Sequence, residues 1–285
     1  MINAILNYTF MQNAIAAALL ASIVTGIIGT IAIEKKLISM SGGIAHASFG
    51  GIGLGYLIGL EPIWGGLFFA VGSSVLISKI SENKRIKADT LTGILWSFGM
   101  ALGILFISLA PGYMPDMTSY LFGDILSVSK SAIYSMAAIT ASIIFIFVLI
   151  YNYLILYLYD EDYAKIRGIN VGLLRWVVYI MIPIGIIVLI RVVGIILTIA
   201  LMTIPTSVAK LFFKSFIKVV IGAIIISAVF CIVGLVVSYY ANIPSGVCII
   251  VISTVVYLLL LATKNAVAKR QHMKRMHKES LVDEN

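Results

Sequence analysis

The chain has 285 residues, of which 61% are hydrophobic and only 11% charged, and its mean hydropathy is +1.10. A soluble domain carries about 25% charge, so this composition excludes a soluble globular enzyme and makes the bilayer the solvent for most of the sequence. The formal charge of +8 does not point to nucleic acid, because the basic residues stand in short gaps between apolar runs.

In lipid the backbone must satisfy its own hydrogen bonds, which leaves helices or a closed barrel. The apolar runs are about 20 residues long and do not alternate, so the expected fold is all-α, a polytopic helical bundle. Charges and turn residues divide the chain into nine apolar segments, at about 9–32, 38–60, 62–80, 90–110, 131–157, 173–190, 193–213, 217–240 and 245–263, each bounded to within a few residues. Residues 1–263 form one membrane domain in this reading, and 264–285 a basic tail. The opening MINAILNYTF lacks a basic n-region and a small-residue cleavage site, so the first run is expected to be kept as a span.

The second segment, SMSGGIAHASFGGIGLGYLIGL, is the most informative. Gly43, Ala47, Gly51, Gly55 and Gly59 recur every fourth residue, the spacing that forms a groove for close helix packing. His46 lies beside that groove. An ionisable side chain at membrane depth is a functional candidate by default, and a neutral imidazole is a common transition-metal ligand. The alternative is a structural hydrogen bond to a carbonyl.

After the fourth segment, PGYMPDMTSYLFGDILSVSK carries Asp116, read as a loop acid at the external mouth, and Asp124, whose apolar neighbours fit a re-entrant element, the alternative being a loop acid or a helix N-cap. The loop YDEDYAKIRGINVGLLRW places Tyr163, Ile166 and Ile169 at helical spacing before Gly168, which predicts a short interfacial helix suited to docking a soluble partner. LIRVVG, with Arg191, must turn the chain without a proline; the alternative is one long or broken helix and eight spans. In LMTIPTSVAK, Pro205 frees carbonyls that Thr203, Thr206 and Ser207 can satisfy, or these hydroxyls line a polar path with Met202. Cys231 and Cys248 read as small core residues. In the tail, His272 and His277 read as part of a solvated segment near anionic headgroups.

Alternating the loops puts Lys35, Lys36, Lys79, Lys84, Arg85, Lys87, Lys165, Arg167, Arg175, Lys210, Lys214, Lys218 and the six Lys and Arg of the tail on one side. Only Lys130 and Arg191 fall opposite. The positive-inside rule then predicts an outside N-terminus and a cytoplasmic C-terminus.

No phosphate-binding GxxxxGK[ST], HExxH or GxSxG occurs, so an enzyme is not expected, and active transport would need a separate motor or an ion gradient. The stretches SMSGGIAHASFGGIGLGY, YLFGDILSVS, DYAKIRGINV and VVGIILTIALMTIPTSVAKL together resemble the ABC-3 permeases, the membrane subunits of ABC importers for zinc, manganese and iron. The resemblance runs from about residue 10 to 262. DYAKIRG is similar to the EAAxxxG loop, with Asp162, Ala164 and Gly168 in register. Residues 160–172, including Tyr163 and Arg167, are by that resemblance the coupling helix that fits an ATPase subunit.

It further implies a homodimer in the inner membrane, two ATPase subunits that use ATP, an extracellular metal-binding protein, and no permanently bound cofactor. The cargo is a divalent transition metal, zinc first. Where the family pattern reads like GDALSHA, this chain has Gly42 and Ala45 and keeps His46, so the expected metal contacts are His46 with Met40, Met202 and Asp124. Ser41, Thr203, Thr206 and Ser207 are the expected path hydroxyls. The alternative function is a gradient-driven secondary transporter of a small cation or solute, for which inverted repeats would be the sign; none is visible.

Overall fold

The computed structural model describes residues 8–82, 88–111, 121–123 and 125–283, and every regular element among them is helical. In chain order these are α1 (Thr9–Glu34), α2 (Ile38–Leu57), α3 (Pro62–Glu82), α4 (Ala88–Leu109), α5 (Lys130–Tyr159), the short α6 (Glu161–Ile166), α7 (Val171–Phe212), α8 (Phe216–Ala241) and α9 (Ser245–Asp283). A 3-10 turn at Ile125–Ser127 precedes α5.

Seven of the described helices are long and apolar enough to cross a membrane. The two apolar segments outside that set are α2 and the limb Thr198–Phe212 of α7, so the expected eight to nine spans are reached only when these are counted. The exception of α2 has a physical reason. Its residues 40–53 are all buried, encased by α3, α4 and α7, so protein and not lipid is its surrounding medium. A helix in that position needs small residues more than apolar ones. By contrast α4, α5 and α9 turn Phe98, Ile104, Phe145, Val148 and Leu258 outward, as a lipid-facing surface requires.

The glycine pattern of α2 is used as a packing surface. Gly43 meets Thr92 and Ala47 meets Gly99, both on α4. Gly51 and Gly65 of α3 approach each other backbone to backbone, so a Cβ on either would overlap the other's carbonyl. A Cβ on Gly55 would come within 2.8 Å of the Pro62 Cα. Gly59 departs from the pattern and corrects its assignment to packing: it has φ +71 and nothing within 4 Å of where a Cβ would stand. It ends the helix instead, with Leu60 N–H donating to Gly55 O at 2.9 Å and Gly59 N–H to Tyr56 O at 3.3 Å, the bond pair of a glycine C-cap.

The join near Arg191 is a reversal. A straight helix of 42 residues would be about 63 Å long, yet both ends of α7 meet the same end of α1. Arg175 lies 4.0 Å from Glu161, which holds Lys35 at 2.6 Å, and Lys210 holds Glu34 at 2.8 Å. The chain folds back at Gly194, whose φ 75 and ψ 174 are non-helical. Gly194 and Gly123 face each other too closely for a side chain on either. The limbs Val171–Ile196 and Thr198–Phe212 then run in opposite directions beside α1, with Gly185 against Val24 and Ile28, and Met202 and Thr206 against Gly29.

Lys35, Lys165, Arg167, Arg175, Lys210 and Lys264 therefore gather at one end of the bundle, while Arg191 pairs with Glu61 at the other, at 2.8 Å. Where α1 faces α8 and the second limb it widens into a π turn, Thr25–Gly29. Thr30 Oγ1 donates to Gly26 O at 2.6 Å there, a side-chain bond to a carbonyl one turn back.

Candidate functional site

His46 stands in the most enclosed helix of the bundle and is 6% exposed. Its ring stacks on Trp96 of α4, with centroids 4.1 Å apart and planes 6° from parallel. Its Nδ1 is buried without a hydrogen-bond partner, so the structural hydrogen bond is missing at that nitrogen. A buried polar nitrogen left unpaired is costly, and imidazole is a common transition-metal ligand through either ring nitrogen.

One turn earlier, the position where the family pattern has Asp is filled from outside the helix. A Cβ on Gly42 would overlap Ile199 Cδ1 and lie 3.0 Å from its Cγ1. The missing carboxylate is thus replaced by an apolar side chain from the second limb of α7.

Met40 and Met202 are both buried, at 2% and 0% exposure. Met202 is held against Gly29 through its carbonyl, which also accepts from Thr206 Oγ1 at 3.2 Å. Ser41 donates to Leu37 O at 2.9 Å and Thr203 to Ile199 O at 2.8 Å. These three hydroxyls donate to carbonyls three to four residues back in the chain. Ser207 is half-buried. Asp124 and Asp116 lie outside the described residues; Ile125, next to Asp124 in the chain, is fully buried and donates its N–H to Ser245 Oγ at 3.1 Å. Among the described residues no group of three or more His, Cys, Asp and Glu is placed to hold a metal.

The second candidate region is α6. Asp160 caps it, accepting from Tyr163 N–H at 2.8 Å. Gly168, φ +75, ends it, with Gly168 N–H to Lys165 O at 2.9 Å and Ile169 N–H to Ala164 O at 3.0 Å. Ala164 is fully buried against the bundle, while Tyr163 is 40% and Ile166 83% exposed. Arg167 Nε donates to the Tyr163 hydroxyl at 2.9 Å, and Asp162 pairs with Lys165 at 3.0 Å. The helix is fixed at both ends and presents an aromatic and an aliphatic side chain to the outside.

Sequence reasoning missed Trp96, Ile199 and the charges that tie α6 to α1. Trp96 and Ile199 sit in apolar runs with no distinguishing signal. Glu34 and Lys35 are adjacent opposite charges that end an apolar run; Lys35 counts toward the charge asymmetry of the loops, and nothing in the sequence points to the partners of either.

At the other end of the bundle an open cavity of about 710 Å³ is lined by Phe10, Phe122, Tyr239, Asn242, Pro244 and Ser245 among others.

The sequence profile of the ABC 3 transport family matches residues 7–264. MntC of Listeria monocytogenes, a manganese transport system membrane protein, is 29% identical over 255 residues, covering 90% of this chain and 91% of that protein. A protein of Haemophilus influenzae, described as a "Probable iron transport system membrane protein", is 31% identical over 257 residues, covering 90% and 94%. The solved structure of PsaBC from Streptococcus pneumoniae in complex with Fab superposes with a TM-score of 0.83 at 27% identity, covering 91% of this chain and 93% of that one.

Proposed function

The chain belongs to the ABC 3 transport family and is a multi-pass membrane subunit of a metal ABC transporter; from that premise we propose that it forms the import path for a divalent transition metal, manganese first. The sequence put zinc first. Similar proteins named for manganese and iron support the change of order. Membership of this family leaves no role for the gradient-driven alternative, and ATP is used on a separate subunit.

The observation that carries the coupling part of the proposal is α6. It is capped at both ends, anchored by Ala164, and offers Tyr163 and Ile166 at the lysine-rich end of the bundle. That end is the cytoplasmic one in this reading, by the positive-inside rule. Two copies of the chain, two ATPase subunits at their α6 helices and an extracellular metal-binding protein make up the working assembly. His46 meets the ion in passage with help from the thioethers of Met40 and Met202 and from path hydroxyls. A path needs binding weak enough to release its cargo, which one imidazole with neutral oxygens supplies.

Two experiments test this. Gly168→Asp forces a side chain into the left-handed region at about 1–2 kcal/mol and unseats the end of α6. Loss of ATPase copurification with normal membrane insertion is expected; unchanged copurification refutes the docking role. Growth rescue of a permease-deleted strain under manganese, iron or zinc limitation should succeed first for manganese and fail for His46→Ala.

A further inference from the structure

The turn between α1 and α2 is held by an unusual set of contacts. Glu34 and Lys35 are neighbours in sequence, each side chain only 14% exposed, and each grips a different element. Glu34 accepts from Lys210 at the end of the second limb of α7, at 2.8 Å. Lys35 donates to Glu161, the first residue of α6, at 2.6 Å. Its ammonium also lies 3.6 Å from the centroid of Tyr157, the buried ring just before α6. Lys36 follows with φ 57, one of two described non-glycine residues with positive φ. The turn closes through Lys36 N–H to Ile33 O at 3.1 Å and Leu37 N–H to Ala32 O at 2.7 Å, and α2 begins at Ile38. His46 stands about 12 Å further along that helix.

We propose that this turn is the joint through which displacement of α6 is delivered to α2, with Lys35 as the positioning residue that ties them. The inference rests on the reading of α6 as the ATPase docking helix. α2 is packed backbone to backbone on α3 and α4, so it answers a pull at its first residue by moving as a block. A densely packed interior switches between arrangements and does not deform smoothly. Lys35 is largely withdrawn from water while Glu161 is 35% exposed, so this part-buried pair holds its charges more strongly than a fully exposed one would. Glu34 carries the same motion to the limb that bears Ile199, Met202 and Thr203. One two-residue clamp thus addresses both α2, which carries the Gly42–His46 turn, and the limb whose Ile199 packs on Gly42. A backbone residue held in a strained region at such a junction fits a switching element.

The test uses the complex of the chain with its ATPase subunit, reconstituted in lipid vesicles, with ATP hydrolysis and manganese ion uptake measured on the same preparation. Lys35→Glu is expected to copurify with the ATPase and hydrolyse ATP, yet to move about tenfold less manganese per ATP. The exchange Lys35→Glu with Glu161→Lys is expected to recover most of that ratio. Lys35→Gln, which removes the attraction without adding repulsion, should show a smaller loss and covers the case in which Lys35→Glu does not assemble. Uptake per ATP unchanged in both single variants overturns the joint, and so does an exchange variant as impaired as Lys35→Glu. A wild-type chain that copurifies no ATPase overturns the reading of α6 and the joint with it, whereas normal copurification with an unaltered ratio overturns the joint alone.

Discussion

The centre of α2 and the lysine-rich end of the bundle are built by opposite means. In α2, residues 40–53 are buried and contacts are made by backbone, with Gly51 on Gly65 and Gly53 on Gly103. At the other region, about ten residues away in sequence, the elements are joined by long charged side chains, Glu34 to Lys210 and Lys35 to Glu161. The first kind of contact has no give, because a carbonyl cannot move without moving its helix. The second can lengthen, break and re-form. The polar nitrogen left unpaired on His46 therefore sits in the rigid part, and the groups that receive a pull sit in the adjustable part.

The sharpest way to break this contrast is to put a side chain where two backbones meet. Gly51→Leu drives a branched side chain into the Gly65 carbonyl, and overpacking of this kind destabilises by about 3 kcal/mol. The expected result is loss of a monodisperse, folded chain in detergent, read by thermal unfolding. A variant of normal stability would show that α2 and α3 can separate and that the rigid half of the comparison is mistaken.

Much of this rigid half was legible in the sequence. The four-residue spacing of Gly43, Ala47, Gly51 and Gly55 is a direct imprint of close helix contact, since only small residues permit it. The span boundaries follow from apolar length, and the α6 helix from its spacing and from Gly168. Gly59 shows the limit of such spacing: it continued the register, yet its backbone conformation ends the helix. The reversal at Gly194 was legible only as a difficulty, because what allows it is a second glycine, Gly123, some 70 residues away in the chain. Likewise the occupant of the space beside Gly42 is Ile199, a residue of no special type made specific by the fold alone. Partnerships across the bundle leave no local trace.

That occupied space permits a sharper comparison. Gly42→Asp restores the family's carboxylate but must displace Ile199, so a loss of stability of about 1–3 kcal/mol is expected. Adding Ile199→Ala to it makes room for the carboxylate. The double variant should recover part of that stability in the presence of manganese ions, since a ligand bound only by the folded state stabilises it. Equal thermal unfolding of the single and double variants, with and without metal, would show that Ile199 does not decide what the Gly42 position accepts.

The smallest expected effect lies in the adjustable half. Lys36 holds a left-handed backbone that suits glycine, and an ordinary residue there is disfavoured by about 1–2 kcal/mol. Lys36→Gly relieves that strain but gives the unfolded chain more freedom, an opposing effect of about 0.5–1 kcal/mol. The net expectation is a stabilisation of about 0.5 kcal/mol. If the strained turn serves the clamp, the same substitution should lower the manganese moved per ATP even as it raises stability, because a relaxed turn transmits less of the motion of α6. Stability and coupling moving in the same direction would make Lys36 an ordinary helix end, and would leave the ion pairs beside it to carry the joint alone.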